Sequence, residues 1–469
     1  LLNSIERYES KGRAKDGEWI AGHTDFLLRS KDTTLFRLGS QLDRHWRNAN
    51  VRVSISSKLM SRYLPDASTV RSRVQNRLGA AAIRGTSWTT TEFKWHLVPN
   101  HQRIHLDLFA EGNVRSQTVA NQGAARTQNQ GQALFTASKS VWFDRKGIHT
   151  QAAQATSNST VKIESVKTAY DGIPLLGSIA RSMAQTRAEE RKHQARQMMQ
   201  QRVARSAQHR LDSIVDQQLS RFETQFETQV IQPLSDLELE PTPLTLLTTS
   251  HRVIARYRLA NQSQLSAWSP RPVAFSDTLL SVQIHQSAIN NVVDQLNLHG
   301  KRFDLEDLYQ TIPQKLGFAP LSIPEDLPEN VKVRFAAYEP IRFRFDNGRA
   351  SITIRLASLS KGKRHRWRKL TVTGEYAPDV SSVNAPLIRD ESIRLTGHKL
   401  SFSDQVALRS IFSNVFSRKR PLTILRTKLA NDQRVQDLGI QEFAVEDGWI
   451  GIAWGVERLA ANGRSSTTR

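Results

Sequence analysis

The stretch SVQIHQSAINNVVDQLNL, residues 281–298, decides how the chain is read. Val282 and Ile284 alternate with polar residues, as in a half-buried strand. Beyond His285 the apolar residues change rhythm: Ile289, Val292 and Val293 fall three and four apart, as on one face of a helix. A strand therefore runs into a helix with no turn between, and His299-Gly300 closes the unit. The same passage occurs earlier, in VSISSKLMSRYL (53–64), whose helix ends near Pro65. There Val53 and Ile55 match Val282 and Ile284, while Met60, Tyr63 and Leu64 match Ile289, Val292 and Val293.

Each passage leads to a hairpin. Phe93, Trp95, Leu97 and Ile104, Leu106, Leu108 alternate on either side of PNHQ (99–102). Ile341, Phe343, Phe345 and Ile352, Ile354, Leu356 do so around DNGR (346–349), and the two sets match without a gap. Period two on both sides of turn residues is the mark of antiparallel pairing. Further strands are expected at 114–120, 133–143, 148–155 and 160–167, then at 367–376, 391–396, 421–427 and 441–454.

Each half also reaches an amphipathic helix. Between Ser178 and Gln232 there is no glycine or proline, and Leu211, Ile214, Val215, Leu219, Phe222, Phe226 and Val230 form a stripe. Such a helix would be roughly 80 Å long at 1.5 Å per residue, with Pro233 as its stop. Its first half, RAEERKHQARQMMQQRVAR (187–205), is basic and weakly apolar and reads as the exposed part. The second helix, SFSDQVALRSIFSNVF, starts at a Ser401 or Ser403 cap and stripes Val406, Leu408, Ile411, Phe412 and Val415.

The expected fold class is α+β: two related halves of twisted antiparallel sheet, each packed on a long amphipathic helix. The expected divisions are an N-terminal segment (1–45), a first half (46–235), connector strands (236–275), a second half (276–455) and a polar, disordered tail (456–469). The order strand, helix, hairpin, strands, helix occurs twice and reads as an internal repeat.

Two β-rich halves with helices along twisted sheets resemble the tubular lipid-binding superfamily, which includes the bactericidal/permeability-increasing proteins. SVQIHQSAINNVVDQLNL is similar to that family's strand-to-helix passage, and DGWIGIAW (447–454) to a closing strand of its barrel. The likeness covers residues 45–455 in outline and rests on pattern. It implies an apolar, lipid-sized groove between sheet and helix. Its candidate lining here is the twelve hairpin residues above with Phe222 and Phe226. The family's disulfide is impossible in this chain, which has no cysteine.

The same absence excludes thiol nucleophiles and thiolate metal sites. Phosphate-loop, dinucleotide, nucleophile-elbow and zincin motifs are missing from the sequence as well. His96, His101 and His105, with Asp107, could meet around a hairpin turn and hold a metal, but their spacing fits a solvated polar face better. His285 and His299 flank a helix and read as capping or surface residues. No cofactor, metal or enzymatic activity is expected.

Charge is the stronger chemical signal. Among 469 residues, 66 Lys and Arg face 44 Asp and Glu, a net charge of +22 that favours anionic partners. SKGKRHRWRK (360–369) gathers Lys361, Lys363, Arg364, Arg366, Arg368 and Lys369 around Trp367, and Arg418, Lys419 and Arg420 form a second cluster. Arg71, Arg73, Arg77 and Arg84 form a third. Cations beside an aromatic suit a membrane interface or nucleic-acid bases. A solvated loop guarding a sheet edge is the plain alternative.

No stretch of 18 apolar residues occurs, so no transmembrane helix is expected. The chain opens on Leu1 without an apolar leader, which leaves room for a removed signal peptide. The sequence thus points to a non-enzymatic, periplasmic or envelope protein of bacteria that binds or transfers lipid. A structural scaffold with protein partners, or a nucleic-acid-binding protein, are the alternatives.

Overall fold

The structure is a computed structural model and describes residues 1–11, 13–173, 176–271, 278–316, 323–363, 365–381, 386–422 and 432–456. The strand expected at 421–427 and the tail fall almost wholly outside these residues. The chain divides into two compact units, the first made of 1–56, 224–246 and 254–469, the second of 57–223 and 247–253.

The first unit opens on three helices, α1 (Leu2–Lys11), α2 (Ala14–Leu28) and α3 (Thr33–Trp46). Tyr8, Ile20, Ala21 and Trp46 form their core with Leu265, and Asp32 caps α3 by accepting from the N–H groups of Thr34 and Leu35 at 2.7 and 3.0 Å. Strand β1 (Val51–Ser56) follows.

The second unit begins with the single-turn α4 (Ser57–Ser61). Its sheet comprises β2 (Ser68–Leu78), β3 (Ala81–Leu97), β4 (Ile104–Gln122), β5 (Ala125–Asp144), β6 (Gly147–Thr150) and β7 (Gln154–Thr168). The order is β2-β3-β4-β5-β6, with β7 also on β5, and every pairing is antiparallel. Helix α5 (Leu176–Phe226, 51 residues) runs to about 77 Å at the standard rise. The helical path outlasts Pro233, through a π-helical turn at Glu227–Ile231 and the short α6 (Gln232–Ser235).

The rest belongs mainly to the first unit. In chain order it contains β8 (Pro241–Thr248), β9 (Arg252–Leu259), β10 (Leu280–His285), α7 (Gln286–Gln295), β11 (Arg302–Asp304) and α8 (Leu305–Lys315). There follow β12 (Val331–Phe335), β13 (Ile341–Asp346), β14 (Arg349–Lys361), β15 (His365–Pro378), β16 (Leu387–Arg389) and β17 (Arg394–Thr396). The last elements are α9 (Phe402–Val415), β18 (Leu438–Glu446) and β19 (Trp449–Val456). One sheet has the order β18-β19-β10-β1-β9-β8; another runs β11-β12-β14-β15-β16, with β13 on β14 and β17 on β15.

The α+β class, with large antiparallel sheets, is therefore as the sequence indicates. The two strand-to-helix passages meet in the first sheet, where Val53 stands opposite Val282. Their hairpins, however, differ in register. Phe93 pairs with Ala110, whereas its match Ile341 pairs with Ile354, the match of Leu106. A two-residue turn at Asn347-Gly348 closes the second hairpin, and a longer loop closes the first. The helices differ too: α9 has 14 residues against the 51 of α5.

A cationic groove between sheet and helix

Helix α5 lies along one face of the β2–β7 sheet, and its side chains change size along the way. Near its C-terminal end Leu211 and Val215 are buried against Leu108, Ala110, Ala137 and Val141, with Leu219 beside them. Bulky residues fill the gap there. Lys139 on β5, itself buried, reaches Asp212 at 2.6 Å and Asp216 at 3.0 Å and ties sheet to helix.

Upstream the helix presents Ala180, Ala184, Ala188 and Ala195, with Met183, Met198 and Met199. An alanine methyl cannot bridge the distance that a leucine spans, so the space stays open. The result is a groove of about 740 Å³, within the usual range for ligand sites. It follows α5 from Ala180 to Leu211, about 47 Å at the helix rise, and is narrow for that length. The sheet contributes Ile83, Phe93, Val114, Phe135, Val161 and Ile163, interspersed with Ser and Thr.

Both edges of the sheet reach the helix. On β7, Ser157 and Ser159 donate their hydroxyls to the backbone oxygens of Gln200 and Arg196 at 2.7 and 3.0 Å. On β2, the backbone oxygen of Gln75 accepts from Arg202 at 3.2 Å. Gly131 on β5 makes room for Met199: a Cβ there would lie 2.9 Å from its Sδ. Methionine is flexible and polarizable, so this wall can adapt to a guest.

The charge of the lining is one-sided. Arg73, Arg187, Arg191, Lys192, Arg202 and Arg210 contribute to it, and no Asp or Glu does among the described residues. Arg191 is hydrogen-bonded to Gln122 and Lys192 to Glu189. Arg73, Arg187 and Arg210 have no carboxylate within salt-bridge reach among the described residues. The groove thus offers an apolar floor and unneutralised cations.

Of the residues proposed from sequence as lining, Phe93 lines the groove. Trp95 and Leu108 pack in the core at its closed end, and Leu97, Ile104 and Leu106 are buried. Phe222 is exposed at the far end of α5 and Phe226 is half-buried. The second-half residues form solid core instead. Phe345, Ile352 and Leu356 are buried with Leu408, Ile411 and Phe412 of α9, and Ile341, Phe343 and Ile354 pack against them. Branched and aromatic residues from both sides meet there and pack together. The basic stretch 187–205 is largely exposed, as expected, and one side of it also supplies groove wall.

The basic hairpin also needs correction. Lys361, Lys363, Arg366, Arg368 and Lys369 are exposed around the β14–β15 turn, and Arg364 lies outside the described residues. Trp367 is not among them on the surface. It is 5% exposed and donates its indole N–H to Asp404 at 2.7 Å. The cluster therefore loses the aromatic on which bases would stack. Arg420 is paired with Asp326 at 2.6 Å, Arg418 donates to the Asp390 backbone oxygen, and Lys419 is exposed.

Among the histidines, His105 stands 3.7 Å from Asp107, His96 contacts the Phe109 ring, and His101 is exposed in the turn. His285 caps α7, as one of the two readings had it, but is fully buried. Its Nδ1 accepts from the Ser287 N–H at 3.2 Å, which places its proton on Nε2, 3.2 Å from the Ser269 hydroxyl. An imidazole so protonated cannot act as a base toward that serine.

No family model matches the chain, and no curated protein matches it. Among solved structures it is similar to lipopolysaccharide binding protein, at 10% identity and a TM-score of 0.34, with 87% of this chain and 99% of that one covered. It is also similar to P47 of Clostridium botulinum E1, at 8% identity and a TM-score of 0.26, covering 88% and 100% of the two chains. P47 from Clostridium botulinum A2 aligns at 9% identity and a TM-score of 0.23, over 87% and 98%. These are distant likenesses in outline.

No helix among the described residues is long and apolar enough to cross a membrane.

Proposed function

We propose that the groove between α5 and the β2–β7 sheet binds an anionic amphiphile, and that the chain is a non-enzymatic lipid-binding or lipid-transfer protein of the bacterial envelope. The observation that carries this reading is the lining itself: among the described residues, apolar walls, six cations and no carboxylate. Each methylene withdrawn from water contributes about 0.8 kcal/mol, so an acyl chain is held by its length. Arginine fits carboxylate and phosphate oxygens with paired hydrogen bonds and fixes the head at the rim. Among the described residues, the ionisable groups of the lining are Arg, Lys and Tyr170.

Native mass spectrometry of gently purified protein tests the reading, followed by titration with a fatty acid and with its uncharged alcohol. The acid should bind more tightly, and Arg187→Gln with Arg191→Gln should remove that preference while leaving the alcohol's affinity unchanged. Protein that carries no lipid and binds neither probe would overturn it. Fractionation of the producing cell tests the envelope setting separately.

A further inference from the structure

The helical pair at the start of the chain carries an apolar surface that the groove does not explain. Helices α2 and α3 are antiparallel neighbours joined by the turn 29–32. The apolar stripe of α3 is covered at one end, where Leu42 and Trp46 join the core with Tyr8 and Ile20. At its other end the stripe is bare: Leu35 is 41% and Leu38 43% exposed. Beside them Phe36 is 48% exposed, and Phe26, on the last turns of α2, is 71% exposed. Single exposed apolar residues are ordinary, but here four stand within about two helical turns of the 29–32 connection.

Bases outnumber acids around this turn. Arg29, Lys31 and Arg37 are all exposed. The nearby acids are engaged: Asp32 caps α3, and Asp25 accepts from Arg47 at 2.6 Å. No carboxylate lies within salt-bridge reach of Lys31 or Arg37 among the described residues.

We propose that this helical knuckle docks on an anionic lipid bilayer, with Phe26, Leu35, Phe36 and Leu38 entering the headgroup boundary and Arg29, Lys31 and Arg37 meeting lipid phosphates. Charge selects the occupant. A second copy seated by twofold symmetry would bring these cations against their own counterparts, whereas an anionic leaflet attracts them. The combination of aromatic tip and basic collar is the one that amphipathic interfacial segments use. The proposal stands on the α2–α3 turn and does not depend on the groove.

The chain has no cysteine, so Thr33→Cys and Ser410→Cys each provide a unique site for an environment-sensitive dye on the full-length protein. With vesicles of phosphatidylcholine and phosphatidylglycerol, the dye at 33 should shift to the blue and the dye at 410 should not. Phe26→Ser should weaken partitioning roughly tenfold, and Arg29→Gln or Lys31→Gln about fivefold each. Ala188→Phe, in the groove, should leave the signal unchanged. The proposal is overturned if position 33 stays silent, if both positions respond alike, or if pure phosphatidylcholine works as well. It is overturned equally if light scattering shows a dimer that Phe36→Ser dissociates.

Discussion

The ammonium of Lys139, 3% exposed on β5, stands 2.6 Å from a carboxylate oxygen of Asp212 on α5. The same oxygen accepts from the Ala153 N–H at 2.9 Å. This contact fixes the bulky end of α5 on the sheet and so sets where the groove closes. Burial lowers the lysine's pKa, but hydrogen bonds to Asp212 and Asp216 outweigh it and the net shift is upward. For Asp212, burial raises the pKa, but the bonds from Lys139 and Ala153 outweigh it and the net shift is downward.

Lys139→Met should therefore destabilise the second unit by about 2 to 3 kcal/mol, below the full cost of breaking a buried pair because both aspartates reach water. The signs define a window. A depressed carboxylate gives stability above its unfolded pKa, about 4, and a raised lysine gives it below about 10.4. Urea unfolding across pH should show the difference between wild type and Lys139→Met within that window and shrinking outside it. A constant difference at every pH would refute the ionic account.

His285 makes a second pH prediction, in the first unit. Burial, with a smaller push from Arg52, lowers its pKa to about 3. The fold thus holds the imidazole neutral, while the unfolded chain protonates near pH 6.5. Stability should be full above pH 6.5 and fall by about 1.4 kcal/mol per unit on the way down to pH 3. Urea midpoints from pH 7 to pH 4 should show this slope, and His285→Gln should remove one proton's worth of it. An unchanged slope in that variant would place the titration elsewhere.

Much of the fold is legible in the sequence because alternation and helical spacing persist wherever one face is buried. VQIHQSAINNVV gives its strand and helix directly. The long β4 and β5 are half hidden, because Ser, Thr and Gln occupy many of their positions. The three N-terminal helices read weakly because their aromatic residues divide between core and surface. A groove between sheet and helix is what the resemblance implies, but its lining is misplaced for a physical reason. Bulky apolar residues mark where a helix meets a sheet, and such residues fill space. A hollow is marked by their absence, here by alanine and methionine at 180, 184, 188, 195 and 199, spaced mostly by four. That stripe is visible in the sequence once small residues are counted as a signal.

Trp367 shows the opposite error, a core residue in a basic run. Its neighbours Arg366 and Arg368 point to solvent, as alternation along β15 requires, and Trp367 points inward to Asp404. Trp367→Ala should cost about 3 to 5 kcal/mol in the first unit. Lys361→Gln with Lys363→Gln should leave its stability within about 0.5 kcal/mol. Denaturant unfolding of both variants decides the matter, and a tryptophan that can be lost without cost would return the hairpin to its surface reading.

Ala188 offers the sharpest test of whether the space beside α5 is hollow. Inserting a large side chain into a filled interior forces strain that costs about 1 to 3 kcal/mol. Inserting it into an open apolar groove withdraws the ring from water and contributes stability instead. Ala188→Phe should therefore hold or raise the urea midpoint while weakening fatty-acid binding about tenfold or more, since the ring takes the guest's place. Stability and binding would then move in opposite directions. A clear fall in stability, with binding unaffected, would mean that Ala188 touches packed protein and that no guest lies beside it.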